Sequence, residues 1–480
     1  MAAADVAFLH RESRTAPQHV GGIAVFAAQP PGFDYDRLVR LIEERISLAP
    51  RYRQKVRFVP GNLAHPLWVD DPRFDITYHV RRSALPRPGT DEQLLEFGAR
   101  ILARPLDRSR PLWEMYLVEG LAGDRVAVVT KTHEAMINEA AGIDLTQVIL
   151  DAAPTPRGTV AALWMPGAEP GSVELVRDAI LGMLRRPLAV ADTAHAAARE
   201  LRGTAARAGA VAGVAVHAGR AVFGARPASA LQTELGEHRR LAIARTRLDD
   251  YRHIRDALGG SVNDAVLAVV TGALRGWLLF RAVPVRRSTS VRALVPVGIA
   301  ADGDDGAPRQ IAAVRPLLVD LPVGEPDPVL RLAQLRYAMA SHRASGRAVR
   351  AAQLASIGGF APPTIHALGA RASTGLTRRM FSLVVTNVPG PQRPLYAAGA
   401  RMSEIFPFQP LSPGQAVSIA LTSYDGGVYY GLNGDRDAMT DIATLGQLIE
   451  ESLAELRELA AGARGPHVGS RGAGNRPEAP

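Results

Sequence analysis

Apolar residues recur at helical spacing in some stretches of the chain and alternate in strand-like fashion in others, and the two patterns interleave. From Phe33 to Leu48, Leu38, Leu41, Ile42 and Ile46 fall on one stripe, and Asp34 and Asp36 enrich the first turn in acid, which predicts a helix. A second helix is predicted over Asp91 to Leu102. Leu67 to Val69 and Phe74 to Val80 read as strands set off by Pro66, Pro72 and Pro86. Leu112 to Val118 and Arg125 to Thr132 read as paired strands around a turn at Glu119 to Asp124, followed by a helix from about Ala140 to Asp151. Such alternation implies an α/β domain.

Between Gly171 and Ala230 the strand signal disappears and the chain becomes a helical Ala/Arg/Val connector. From Gly236 the alternation resumes. Arg240 to Leu248 reads as a strand, Asp249 to Leu258 as a helix, and Val262 to Phe280 as a long apolar helix capped by Ser261 or Asn263. Further strands are predicted at Val291 to Val297, Ile311 to Leu321, Phe381 to Val388, Ala416 to Tyr424 and Gly427 to Leu432. Asp425-Gly426-Gly427 supplies a hairpin turn. A last helix runs from Asp441 to Ala461 and ends at Gly462. The predicted organisation is an α/β domain over 1–170, a connector over 171–235, a second α/β domain over 236–462 and a disordered tail over 463–480.

With 480 residues, 47% of them hydrophobic, the chain is too long for one ordinary core and too apolar for disorder. The absence of cysteine excludes a disulfide scaffold, a thiolate metal site and a cysteine nucleophile. No run reaches the roughly 18 apolar residues of a spanning helix. Met1 to Leu9 carries Asp5 and no basic lead-in, so it does not read as a secretory signal, and a cytoplasmic location is expected. The formal charge is +9, and 54 of the 56 basic residues are arginine. These arginines are scattered among 47 acids rather than gathered into basic blocks with interleaved aromatics, so no nucleic acid partner is expected. Leu201 to Arg226 is the exception: Arg202, Arg207, Arg220 and Arg226 stand there without an acid, beside Val211, Val214 and Val216. That stretch reads either as a solvated bridge or as a helix that touches anionic membrane.

The candidate chemistry lies at the end of the Arg125 to Thr132 strand, where His133 and Glu134 meet the start of a helix. On a strand, Lys131 and His133 share one face while Thr132 and Glu134 share the other.

This segment resembles the active-site region of the bacterial wax ester synthase/diacylglycerol acyltransferase family, whose pattern is His-His-x-x-x-Asp-Gly at a strand end. Other pieces agree in the same order. They are Asp5 to Phe26, Phe74 to Gly89, Pro111-Leu112-Trp113-Glu114, Ser261-Val262-Asn263-Asp264, Asn387-Val388-Pro389-Gly390-Pro391 with Pro394-Leu395-Tyr396, and Ser423-Tyr424-Asp425-Gly426. His133 occupies the first histidine position and Glu134 stands at the second, catalytic one. Asn138 replaces the aspartate, Glu139 replaces the glycine, and Val297-Gly298-Ile299-Ala300 stands where relatives show Val-Ser-Val-Arg.

The resemblance implies two chloramphenicol-acetyltransferase-like α/β domains with mixed sheets, facing each other across a tunnel that holds the motif. It also implies an O-acyltransferase that joins the acyl group of acyl-CoA to a lipid alcohol, diacylglycerol or a long-chain alcohol, with no bound cofactor or metal. Peripheral contact with a membrane or lipid droplet is expected. Catalytic work falls to His133 and Glu134, with Asn138 and Glu139 supporting the motif. Pro111, Leu112, Trp113, Asn263, Asp264 and Asn387 either shape the site or line the tunnel. Burial of Glu134 would raise its pKa toward that of a useful base. Alternatively His133 turns inward as the base with Glu134 orienting it. A relative that binds acyl chains or a partner without chemistry, and an acyltransferase using another acceptor, are the competing readings.

Overall fold

The computed structural model describes residues 1, 3–27, 33–137, 148–158, 164–185, 230–300, 311–344 and 381–463. In the N-terminal part, α1 (Ala3–Arg11) and β1 (His19–Phe26) precede α2 (Tyr35–Arg45) and the small hairpin β2 (Gln54–Arg57) and β3 (Leu67–Asp70). A helical turn α3 (Ile76–His79), β4 (Val80–Ala84), α4 (Asp91–Ala103), β5 (Trp113–Leu121), β6 (Arg125–His133) and α5 (Ser172–Arg185) follow. The C-terminal part comprises β7 (Arg239–Arg247), α6 (Leu248–Leu258), α7 (Val262–Phe280), β8 (Val291–Ala300), β9 (Ile311–Leu321), α8 (Pro328–Ala344), β10 (Leu383–Pro389), β11 (Tyr396–Ala397), β12 (Ala400–Phe408), β13 (Val417–Tyr424), β14 (Gly427–Asp435) and α9 (Ile442–Ala463).

Two six-stranded mixed sheets result, ordered β11-β12-β1-β6-β5-β4 and β7-β14-β13-β10-β8-β9. In the first, β4 and β5 are parallel and the other pairs antiparallel. In the second, β10 runs parallel to both β8 and β13. Strands β11 and β12, which sequence reading leaves in the C-terminal half, complete the first sheet by pairing Gly21 to Phe26 with Phe408 to Met402. The chain therefore crosses back from the second unit to finish the first.

Local chemistry explains most element ends. Asp34 accepts a hydrogen bond from Arg37 N and caps α2; Thr90 and Gln93 form a capping box on α4, and Ser261 with Asp264 one on α7. Ser261, not Asn263, is thus the cap. The turn between β13 and β14 needs positive φ at two successive residues, and Asp425 (45°) and Gly426 (81°) supply it. Phe74 to Val80 departs from its expected strand. Asp75 accepts a hydrogen bond from Thr77 N and starts a helical turn, and the strand begins only at Val80. Of the helix expected from Ala140, residues 138–147 lie outside those described, as do 186–229 of the connector and 464–480 of the tail.

Among the described residues one helix, α7, is long and apolar enough to cross a membrane by length and composition. It is the core of the second unit: Ala265 to Val270, Leu274 and Trp277 are fully buried against β-strand residues such as Val319, Ile419 and Tyr430. Burial on all sides accounts for its near-continuous hydrophobicity.

Candidate active site

The end of β6 is fixed from three directions. His133 N donates to Leu112 O (3.0 Å), and Glu134 N donates to Gln18 O (2.9 Å), extending the β1–β6 register one residue past the pair His19 and His133. A short 3-10 turn, Glu134–Met136, follows, and α1 packs against it.

His133 points into the protein and is fully buried. Its Nδ1 accepts a hydrogen bond from Ala135 N (3.0 Å), which leaves the ring proton on Nε2, 3.7 Å from Glu12 Oε2. Nδ1 is thus held by the backbone, while Nε2 is buried within ion-pair range of Glu12 without a hydrogen bond among the described residues. Glu12 sits among Arg108, His19 and His133. Arg108 donates to its Oε2 from Nε (3.1 Å) and Nη2 (2.6 Å), and His19 Nε2 lies 2.9 Å from its Oε1. Burial alone would raise the Glu12 carboxyl, but the contacts from His133 and His19 hold it well below the carboxylate range. Burial also pushes His19 down to about 4, against the pull of Glu12. Lys131, fully buried on the His133 face, donates to Arg104 O and lies 3.7 Å from Glu114 Oε2, and burial lowers it to about 8.

Alternation sends Glu134 to the opposite face, that of Thr132 and Val20. Its side chain is closely surrounded by protein yet keeps some access to solvent. Among the described residues its carboxylate has no hydrogen-bonding partner. Desolvation raises its pKa to about 7, opposed only by the charge of Arg11 at the end of α1.

The other sequence candidates divide. Leu112 and Trp113 are core: Trp113 Nε1 donates to Tyr52 O (2.8 Å), and its ring stacks on His79 (4.7 Å), which stacks in turn on Phe74. Pro111 is buried beside them. Asp264 is a buried capping residue, accepting from Ser261 N and Oγ at 2.8 Å. Asn387 Nδ2 donates to Asn263 Oδ1 (3.2 Å), tying the end of β10 to the start of α7. Asn138 and Glu139 lie outside the described residues. Sequence reading missed Arg11, Glu12, His19 and Arg108, whose partners lie up to 123 positions away; the only signal was that the first three lie within the Asp5 to Phe26 resemblance and Arg108 just before Pro111-Leu112-Trp113-Glu114.

The family model of the wax ester synthase/diacylglycerol acyltransferase catalytic domain matches residues 1–266, and that of the family's C-terminal domain matches 313–457. The chain belongs to this family. A probable diacylglycerol O-acyltransferase of Mycobacterium tuberculosis, tgs2, is 32% identical over 468 residues, covering 95% of this chain and 98% of the relative. Another from the same organism, tgs3, is 41% identical over 263 residues, covering 53% of this chain and 94% of the relative. Among solved structures, the wax ester synthase/diacylglycerol acyltransferase of Marinobacter aquaeolei is 26% identical with a TM-score of 0.65, covering 95% of this chain and 98% of that one. The first condensation domain of the calcium-dependent antibiotic synthetase, at 15% identity, a TM-score of 0.53 and coverage of 96% and 95%, shares the fold alone. The architecture of this family member is thus the chloramphenicol-acetyltransferase-like α/β fold, and its family is one of O-acyltransferases.

Proposed function

We propose that this chain is an acyl-CoA-dependent O-acyltransferase of neutral lipid synthesis, with diacylglycerol as the favoured acceptor, in which Glu134 is the general base. The observation that carries the reading is the division of labour at the strand end: His133 is spent on internal contacts, while Glu134 faces outward with its pKa raised to about 7. The ionised carboxylate takes the acceptor's hydroxyl proton as the oxygen attacks the thioester carbonyl. Collapse of the tetrahedral intermediate breaks the C–S bond, and the proton passes from Glu134 to the departing thiolate, giving the ester and free coenzyme A.

A carboxylate base does not add charge to this step. Its negative charge passes to the oxyanion as it becomes neutral, and Arg11 supplies a cation where a histidine base would have left an imidazolium. The names of the mycobacterial relatives support diacylglycerol as acceptor. The test is thioester cleavage coupled to ester formation by purified protein, with diacylglycerol and a long-chain alcohol offered separately. Turnover that Glu134→Gln abolishes supports the reading. Acyl-CoA binding without turnover on any acceptor refutes it in favour of a binding protein.

We propose further that the chain is cytoplasmic and attaches reversibly to membranes or lipid droplets. The support is the sequence of 201–226, whose four arginines contribute about 1 kcal/mol each near an anionic surface. Binding to anionic vesicles at low salt that is lost on replacing the four arginines by glutamine supports this; no binding at low salt refutes it.

A further inference from the structure

The pairing of β1 with β6 continues one rung past the strands themselves. His19 lies opposite His133, and Glu134 N donates to Gln18 O (2.9 Å), so Gln18 stands opposite Glu134. Residues opposed in an antiparallel pair share a face, with Cβ atoms about 5 Å apart. The Gln18 side chain is therefore the neighbour of Glu134 on the face of Val20 and Thr132, while His19 and His133 meet on the other face with ring centroids 5.8 Å apart.

A carboxamide is costly to hold in this place. Gln18 is only 6% exposed, and burial strips its amide of water. Its Nε2 regains one hydrogen bond, to Ala16 O at 3.3 Å, which is longer than the usual range; the second amide hydrogen has no acceptor among the described residues. The segment that carries it is fixed. Ser13 and Ala16 exchange backbone hydrogen bonds (3.3 and 3.2 Å), and Arg239 at the start of β7 donates to Thr15 O, so this segment lies against the second unit.

The acyl transfer proposed above calls for such a donor. When the acceptor's oxygen bonds to the thioester carbon, the electron pair of the C=O bond moves onto its oxygen, and that charge is stabilised by an N–H or O–H held about 3 Å away. The proton that Glu134 takes from the alcohol goes on to the departing thiolate. Arg11 acts through its charge, but its Nε is given to Ala7 O (3.4 Å) and its guanidinium lies over the Phe8 ring (4.7 Å), which turns it toward α1. Among the neighbours of Glu134 on its own face, Val20 is apolar and Thr132 stands two residues, about 7 Å, back along β6. Gln18 alone is directly opposite.

We infer, on the basis of that acyl transfer, that Gln18 is a catalytic residue whose Nε2–H donates to the oxyanion of the tetrahedral intermediate formed beside Glu134. No proton changes hands at Gln18. The hydrogen bond strengthens as charge builds on the oxygen and weakens when the electron pair returns and the C–S bond breaks.

The test compares Gln18→Leu, which keeps the bulk and removes the donor, with Gln18→Glu, which keeps the shape and sets a negative charge against the oxyanion, and with Thr132→Val. Each is assayed at a temperature where its melt shows it folded, and either Gln18 variant that folds decides the matter. Both should lose about 10² to 10³ in kcat, the usual loss for one oxyanion donor. In Gln18→Leu, kcat/KM for acyl-CoA should fall by the same factor with KM unchanged, the mark of a contact made only in the transition state. Thr132→Val should keep the wild-type kcat. A side chain that merely fills space would lower the melting temperature and leave kcat of the folded enzyme alone; that result, or a greater loss in Thr132→Val than in Gln18→Leu, overturns the assignment. Glu134→Gln, run in parallel, separates the two readings. Turnover lost in Glu134→Gln and kept in Gln18→Leu removes the donor and leaves the base, whereas the reverse removes the base and leaves the donor. No turnover by the wild type refutes both.

Discussion

At Glu134 the same burial that makes a base also costs stability, and the two effects can be read separately. A base works ionised, so with a pKa of about 7 kcat/KM should rise as the pH increases through neutrality and level off above it. Glu134→Gln should lower turnover by about 10² to 10⁴, the usual contribution of a general base. Glu134→His should remain within about tenfold of wild type, because an unperturbed imidazole near about 6.5 gains little over a carboxyl near the same value. On the stability side, between the ordinary carboxyl value of 4.5 and about 7 the unfolded chain is ionised at this position while the folded chain keeps its proton. Folding stability from this group therefore falls as pH rises across that window. Thermal melts should find Glu134→Gln more stable than wild type at pH 8, with the difference gone below pH 4.5. A glutamine variant that melts at or below wild type at pH 8 would show that Glu134 is not desolvated, and a flat pH–rate profile would remove it as the base.

The elements around Glu134 differ in how legible they are. α2, α4, α7 and the β5–β6 pair were readable because each buries a regular stripe or alternation of its own. β1 was not: Gly21 and Gly22 interrupt its pattern, since α4 packs so close that a Cβ on Gly21 would lie 2.5 Å from Leu102. β12 carries Glu404 and Pro407 and was hidden because its partner lies some 380 residues earlier. α8 was also unforeseen. The motif itself was legible as His133 and Glu134, but the Glu12 anchor was not, because nothing local relates residue 12 to residue 133. That anchor, joining the end of α1 to β1 and β6, has its own pH signature. His19 is depressed from 6.5 to about 4, so between those values the unfolded chain binds a proton that the folded chain refuses, and stability drops as the pH falls through the window. Glu12, held ionised, loses its contribution at still lower pH. His19→Gln should flatten the fall in melting temperature between pH 6.5 and 4. Glu12→Ala should cost about 2 to 3 kcal/mol at neutral pH by leaving Arg108 without its counter-charge. Acid melts that are identical in wild type and His19→Gln would contradict this account.

Across the whole molecule, the two sheets are joined more tightly than a pair of tethered domains. β12 belongs to the first sheet by hydrogen bonding yet lies against the second, where Ser418 Oγ and Asn433 Nδ2 each donate to Gln409 O at 2.8 Å and Tyr429 OH donates to Ser403 O at 3.2 Å. Arg245 on β7 reaches Asp91 on α4 and Glu404 on β12, both at 2.6 Å. Those ion pairs are partly exposed and contribute modestly. The close approach at Gly431 is different in kind. A Cβ there would stand 1.9 Å from Pro407 O, a contact with backbone that no rotamer change can relieve. Gly431→Ala must therefore move β14 away from β12, and overpacking of this kind costs typically about 1 to 3 kcal/mol. Pro407 pairs with Gly22 of β1, which pairs in turn with Thr130 of β6, so the displacement should also be felt by the strands beside Glu134. The expected result is a lower melting temperature. Gly171→Ala, with no atom within 4 Å of its added carbon, should leave it unchanged. If Gly431→Ala melts with wild type, the two sheets are not held in the close contact between β14 and β12.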